Sequence, residues 1–250
     1  MSEYRFMNQL TEKEQIPTPA YVFDLDEMKE FAEKVKRCLT GKAEICYAMK
    51  ANPFLIKSMM EIVSSLEVCS PGEFRICERA GIPMEKIVLS GVYKNPDDIA
   101  YMLDRYGNSG TYTVESLQHL KVLNDTAVRH GITLSVLIRV TSGNQFGIDE
   151  TEIRKIISER EKYAGIEIEG IQFYSGTQKR NLSQMQEELE HLDAFIRDLE
   201  DINGMKIRTL EYGPGFFVPY FVKDKSERTE DLLGEFKKIL EALQFHGKIV

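Results

Sequence analysis

Apolar residues along this chain recur with two alternating periods. Eight short runs rich in β-branched and aromatic residues predict strands: Glu44 to Lys50, Leu66 to Ser70, Lys86 to Gly91, Gly110 to Val114, Thr133 to Val140, Glu167 to Tyr174, Thr209 to Gly213 and Gly247 to Val250. Between them lie helix-length segments of period 3.6. Leu117, Leu120 and Leu123 mark one, and Leu189, Leu192, Phe195, Ile196 and Leu199 mark another. Ahead of these, Pro19 to Asp24 reads as a further short strand. Asp24 or Asp26 is then placed to cap a helix carrying Met28, Phe31 and Val35 on one face. Strands alternating with helices imply right-handed parallel crossovers. Eight of them predict an α/β fold, a closed (β/α)8 TIM-type barrel, with an open doubly wound sheet as the alternative. The polar residues 1–16 read as an N-terminal arm and residues 17–250 as one barrel ending at strand eight, with no linker or internal repeat between. The charged stretch Val222 to Arg228 reads as a solvated surface loop.

The first strand, Glu44-Ile45-Cys46-Tyr47-Ala48-Met49-Lys50-Ala51-Asn52-Pro53, is apolar on both faces and ends in a lysine. Pro53 has no amide hydrogen for a ladder and biases Asn52 away from the helical region, so the strand stops there. Lys50 thus stands where a strand hands over to a loop. Flanked by uncharged residues in low-dielectric surroundings, its amine loses a proton more readily, as a Schiff-base lysine requires. The competing reading is an ordinary solvated lysine.

Composition narrows the possibilities. The 250 residues carry a formal net charge of −8, which argues against nucleic acid or an anionic membrane as partner. No apolar run is long enough to span a bilayer, and Met1 to Arg5 lacks a signal-peptide core, so cytoplasmic residence is the default expectation. Cys38, Cys46, Cys69 and Cys77 form no Cys-x-x-Cys pair and read as buried free thiols. The four histidines are scattered, with no zinc or Ser-His-Asp arrangement among them.

In a parallel barrel the ligand site is built at the strand C-termini. Strand six ends in Tyr174-Ser175-Gly176-Thr177-Gln178 and strand seven in Glu211-Tyr212-Gly213-Pro214-Gly215-Phe216. Backbone N–H groups of such glycine-bearing loops suit a phosphate, although glycines also simply turn the chain. Arg139 at the end of strand five is placed either to contact a cofactor ring or to pair with Glu73 or Glu211. Tyr174 either stacks on a planar ligand or fills the barrel mouth, and Glu73 is equally a first-turn helix charge.

Taken together, these segments resemble the fold-type III pyridoxal-phosphate enzymes of the ornithine/diaminopimelate/arginine decarboxylase family. Tyr47 to Pro53 resembles that family's Tyr-Ala-x-Lys-Ala-Asn segment, whose lysine holds pyridoxal 5'-phosphate (PLP) as a Schiff base. Glu67 to Glu73 is similar to its Asp-x-x-Ser-x-Gly-Glu segment, and Arg139-Val140 with Phe146-Gly147-Ile148 to its Arg-x-Asn…Lys-Phe-Gly stretch. Gly170 to Gln178 resembles Gly-Leu-His-Cys-His-Ile-Gly-Ser-Gln, and Leu210 to Phe216 resembles Leu-Asp-Ile-Gly-Gly-Gly-Phe. In three places the chain departs from the pattern. Tyr174 replaces a ring-stacking histidine, Pro214 replaces a phosphate-loop glycine, and Gln145 stands where many members have lysine. These departures point to a divergent branch, similar in wording to members acting in secondary metabolism, some on carrier-bound amino acids.

The resemblance implies the alanine racemase-like PLP-binding barrel. The C-terminal β-domain, and the Glu-x-Gly-Arg segment that follows strand eight in the family, are absent from these 250 residues. It implies decarboxylation of an amino acid by the full-length protein as a homodimer. On this resemblance Lys50 is expected to be the catalytic residue, and Lys50, Glu73, Arg139, Tyr174, Gly176, Thr177, Gly213 and Gly215 to form the cofactor site. The 250-residue chain alone is expected to bind PLP weakly and turn over little. A racemase of the related barrel, a non-catalytic PLP-carrying barrel and a sugar-phosphate barrel enzyme are the alternatives.

Overall fold

A computed structural model describes residues 19–221, 224 and 229–250. The expected arm over residues 1–16, and all of the Val222 to Arg228 loop except Asp224, lie outside the described residues. Eight parallel strands follow in sequence order around one sheet. They are β1 (Cys46–Ala48), β2 (Ser65–Val68), β3 (Ile87–Leu89), β4 (Thr111–Val114), β5 (Leu134–Val140), β6 (Ile166–Tyr174), β7 (Thr209–Gly213) and β8 (Lys248–Ile249). Each pairs in parallel with the next. The ring closes at β8 and β1 by one backbone bond, Glu44 N–H to Ile249 O at 2.9 Å, beside an ion pair between Lys248 and Glu44 at 2.8 Å.

The helices are α1 (Leu25–Leu39), α2 (Ile56–Met60), α3 (Pro71–Ala80), α4 (Pro96–Tyr106), α5 (Leu117–His130), α6 (Glu150–Ser158), α7 (Leu182–Asn203) and α8 (Thr229–Ala242). From α2 on each follows a strand in sequence, whereas α1 precedes β1. Ser70, Asn95, Ser116 and Asp149 cap α3 to α6, each side chain accepting the N–H three residues on. Those caps satisfy first-turn donors at the same end of the barrel where the site loops emerge. The central strands β5 and β6 are buried at most positions, as expected of parallel strands covered on both faces. All five apolar positions read on α7 are buried.

Four expectations need correction. Pro19 to Asp24 forms no strand, because β8 already occupies the free side of β1; Tyr21 is 88% exposed, and Asp24 serves as the α1 cap. On α1 the inward stripe is Met28, Ala32, Val35 and Leu39, and Phe31, one residue off that stripe, is 53% exposed. Leu117 likewise faces out at the first turn of α5, leaving Leu120 and Leu123 to the core. Strand one also stops earlier than expected. It ends at Ala48, where its ladder to Glu67 ends, and Met49–Ala51 form a 3₁₀ turn.

Candidate active site

The strand C-termini surround a cavity of about 580 Å³, within the range of small-ligand sites. Lys50, Arg139, Tyr174, Gly176, Thr177 and Gly213 all line it, together with Glu67, Cys69, Glu115, Phe146, Gln172 and Glu211. Gly215 and Glu73, also predicted for the site, do not.

Lys50 is carried on the 3₁₀ turn. Met49 beside it is fully buried against Cys77, their sulfurs 3.2 Å apart, and the Tyr47 hydroxyl donates to Asn52 O at 3.0 Å. With both sides of the turn pinned, Lys50 extends into the cavity mouth. Its Nζ stands 5.6 Å from the Tyr174 ring centroid, within cation–π reach. The residue is exposed, so the low-dielectric surroundings expected from its neighbours are not there.

The loops after β6 and β7 press backbone against backbone. Gly215 has φ +63°, and a Cβ on it would fall 1.9 Å from Gly176 O. Lys179 N–H donates to Gly215 O and Phe217 N–H to Lys179 O, while the Gln178 amide clamps both backbone groups of Val218. Gly176, at φ +141°, has open space where a Cβ would be. Gly213 lets the Tyr174 ring lie against β7, since a Cβ there would meet Tyr174 Cδ2 at 2.6 Å. Behind the loops, Glu188 of α7 accepts from Ser175 (2.7 Å), Lys179 (2.6 Å) and Tyr212 (2.6 Å). Burial pushes its carboxyl up, and these three donors more than reverse that, leaving it below the usual range. The Ser175 hydroxyl is thus turned to Glu188.

Arg139 pairs with neither Glu73 nor Glu211. Its Nη1 donates to Glu115 Oε2 at 2.8 Å, because β4 and β5 are neighbours in register while β2 and β7 lie further round the ring. Glu73 instead completes a helix cap. Its N–H donates to Ser70 Oγ, and its Oε2 accepts from Cys69 N–H at 2.7 Å. On the cavity floor Gln172 Nε2 donates to Glu211 Oε1 at 2.6 Å, with Glu67 at 3.5 Å. Burial raises Glu211 to about 7. Of the four cysteines only Cys77 is fully buried; Cys46 and Cys69 line the cavity, and burial lifts Cys69 to about 12.

Sequence reasoning passed over Glu115, Lys94 and Glu188. Glu115 directly follows β4, a strand end like the others considered, so its position was a usable signal. Glu188 lies mid-helix among other charges, and nothing local marks it.

Residues 25–249 match the pyridoxal-binding domain of the pyridoxal-dependent decarboxylases. A diaminopimelate decarboxylase of Aquifex aeolicus is 31% identical over 241 residues, covering 90% of this chain and 56% of the relative. A crystal structure of an Aquifex aeolicus protein superposes with a TM-score of 0.83 at 31% identity, over 97% of this chain and 59% of the other. The diaminopimelate decarboxylase of Helicobacter pylori, in a mutant form complexed with L-lysine, does so with a TM-score of 0.82 at 25% identity, over 97% and 64%. The chain thus spans little more than half the length of the curated relative it matches. No helix among the described residues is long and apolar enough to cross a membrane.

Proposed function

This chain belongs to the pyridoxal-dependent decarboxylases, spanning their pyridoxal-binding domain, and we propose that the protein decarboxylates a small amino acid with PLP held covalently on Lys50. One observation carries the reading: an amine on a pinned turn and two abutting glycine loops face one cavity of a suitable size. The cavity suits the cofactor on other grounds. Gly176 leaves open space beside its backbone, and two buried polar atoms of lining residues, Arg139 Nε and Gln172 Oε1, have no partner among the described residues.

When bound, PLP supplies an electron sink for the carbon that loses its carboxylate. The protein's part is to hold and orient. Lys50 would hold the cofactor through its amine, with loss of water from the cofactor's aldehyde, and Tyr174 would offer it a flat ring to pack on. Backbone N–H groups of Gly176, Thr177 and Gly213 bind phosphate, while Gly215 keeps the two loops in contact. Arg139 donates to the ring or its substituents, and Glu73 acts indirectly, by fixing the start of α3 beside Cys69. A free or carrier-bound amino acid and a homodimer complete the proposal.

The test is borohydride reduction of the PLP-loaded protein followed by peptide mass spectrometry. The expected result is a pyridoxyl adduct on Lys50, lost in Lys50→Ala together with carbon dioxide release from an amino-acid panel. An adduct confined to another lysine, or none, overturns the reading.

A further inference from the structure

Glu115 is the most enclosed charge on the cavity wall, its side chain 1% exposed. Oε2 receives Arg139 Nη1 at 2.8 Å; Oε1 faces the Thr113 hydroxyl at 3.2 Å, the Ser90 hydroxyl at 3.4 Å and Lys94 Nζ at 4.0 Å. Lys94 is itself 3% exposed and donates to Gly91 O at 2.7 Å. The backbone is held too: Glu115 N–H donates to His119 Nδ1, and His119 Nε2 lies 2.9 Å from Val92 O. One buried carboxylate therefore faces two cations, Lys94 buried and Arg139 partly so.

The consequence falls on Arg139. A guanidinium has five N–H donors in one plane. Here Nη1 binds Glu115, Phe146 lies 5.3 Å from Cζ, and Nε has no partner among the described residues although the residue lines the cavity. Its orientation is thus set through Nη1, while Nε makes no hydrogen bond among the described residues.

We propose that Glu115 is a positioning residue that aims Arg139 at acceptor groups of the bound ligand, with Lys94 offsetting the Glu115 charge so that Arg139 stays available to anionic groups. The inference rests on the function proposed above and adds two residues to it. The charged and titratable groups facing Lys94 are Glu115, Arg139, Glu67 and Cys69, with His119 beside it and Asp98 across a small void. Burial, partly offset by Glu115, brings Lys94 down to about 8. As pH rises through that value Lys94 loses its charge and ceases to offset Glu115.

The experiment is titration of the full-length protein with PLP between pH 6.5 and 9, reading the dissociation constant by absorbance. Borohydride trapping on Lys50 and the melting temperature without cofactor are measured in parallel. Glu115→Gln is expected to weaken PLP binding about tenfold, the scale of losing one charge-assisted hydrogen bond, and Glu115→Asp to recover most of it. Lys94→Met is expected to weaken binding about threefold at pH 7, with the gap from the unsubstituted protein closing above pH 8. If Glu115→Gln does not fold, Lys94→Met carries the test. Trapping on Lys50 with affinities within twofold of the unsubstituted protein, or losses in both Glu115 variants that only follow their melting temperatures, overturns this inference alone. No trapping on Lys50 in the unsubstituted protein overturns the function it rests on.

Discussion

Glu211 on β7 is nearly fully buried and is held at about 7, first by desolvation, with the Gln172 amide pulling the other way. Unfolded, the same carboxyl titrates near 4.5. Below pH 4.5 both states are protonated and the group is neutral to stability. Between 4.5 and 7 the unfolded chain gives up the proton while the folded one keeps it, so stability falls as pH rises. Above 7 the loss is complete, at about 3 kcal/mol from a shift of roughly 2.5 units. In Glu211→Gln this fall should disappear. Urea unfolding at pH 4.5 and pH 8 is expected to show the variant gaining about 3 kcal/mol on the unsubstituted protein between the two; equal slopes would disprove the assignment. At this scale sequence was a partial guide. A carboxylate before Gly213-Pro214-Gly215 was visible as part of a motif, but its partner Gln172 lies 39 residues away, and only strand register brings the two together.

Strand β6 contains the tightest backbone approach in the sheet. The register of β5 against β6 shifts between Val136 and Leu137, and a Cβ on Gly170 would fall 2.0 Å from Thr209 O and 3.0 Å from Leu137 Cδ2. Because backbone cannot yield as a flexible side chain can, Gly170→Ala should destabilise by about 3 kcal/mol, read as a lowered urea midpoint with unchanged slope. An effect under 1 kcal/mol would mean that the strands separate easily. Helix α7 shows a longer-range dependence. Buried Asp193 accepts from Gln244 and Phe245 N–H groups, at 3.2 and 2.7 Å, and so holds the approach to β8. The elements themselves were legible, since period two and period 3.6 alternate cleanly along the chain. What misled was the local reading of Phe31 and Leu117, where one residue of helical phase, 100°, separates core from solvent.

Across the whole barrel the weakest seam joins β8 to β1. Seven strand pairs have parallel ladders, whereas this one has a single backbone bond and an ion pair whose partners are about half exposed. Such a pair contributes about 1 kcal/mol at most, and Lys237 Nζ bound to Thr40 O adds a tie between α8 and the end of α1. Native-state hydrogen exchange is expected to find the Glu44 amide less protected than those of β5 and β6. Equal protection would show that packing of α1 against α8 closes the ring as firmly as a ladder. Sequence alone determined the strand–helix alternation, the eight barrel strands if not the absence of one at Pro19 to Asp24, and which segments end at the cavity rim, because those depend on periodicity, turn residues and capping, all local properties. It also identified the lysine turn and the two glycine loops, whose chemistry is written in adjacent residues. Only the tertiary structure decided that Arg139 bonds to Glu115, that Glu188 braces Ser175, and that Glu73 turns back on its own helix. Each of those choices depends on which strands and helices become neighbours in the ring and on the distance between their side chains, and neither is encoded within any one segment.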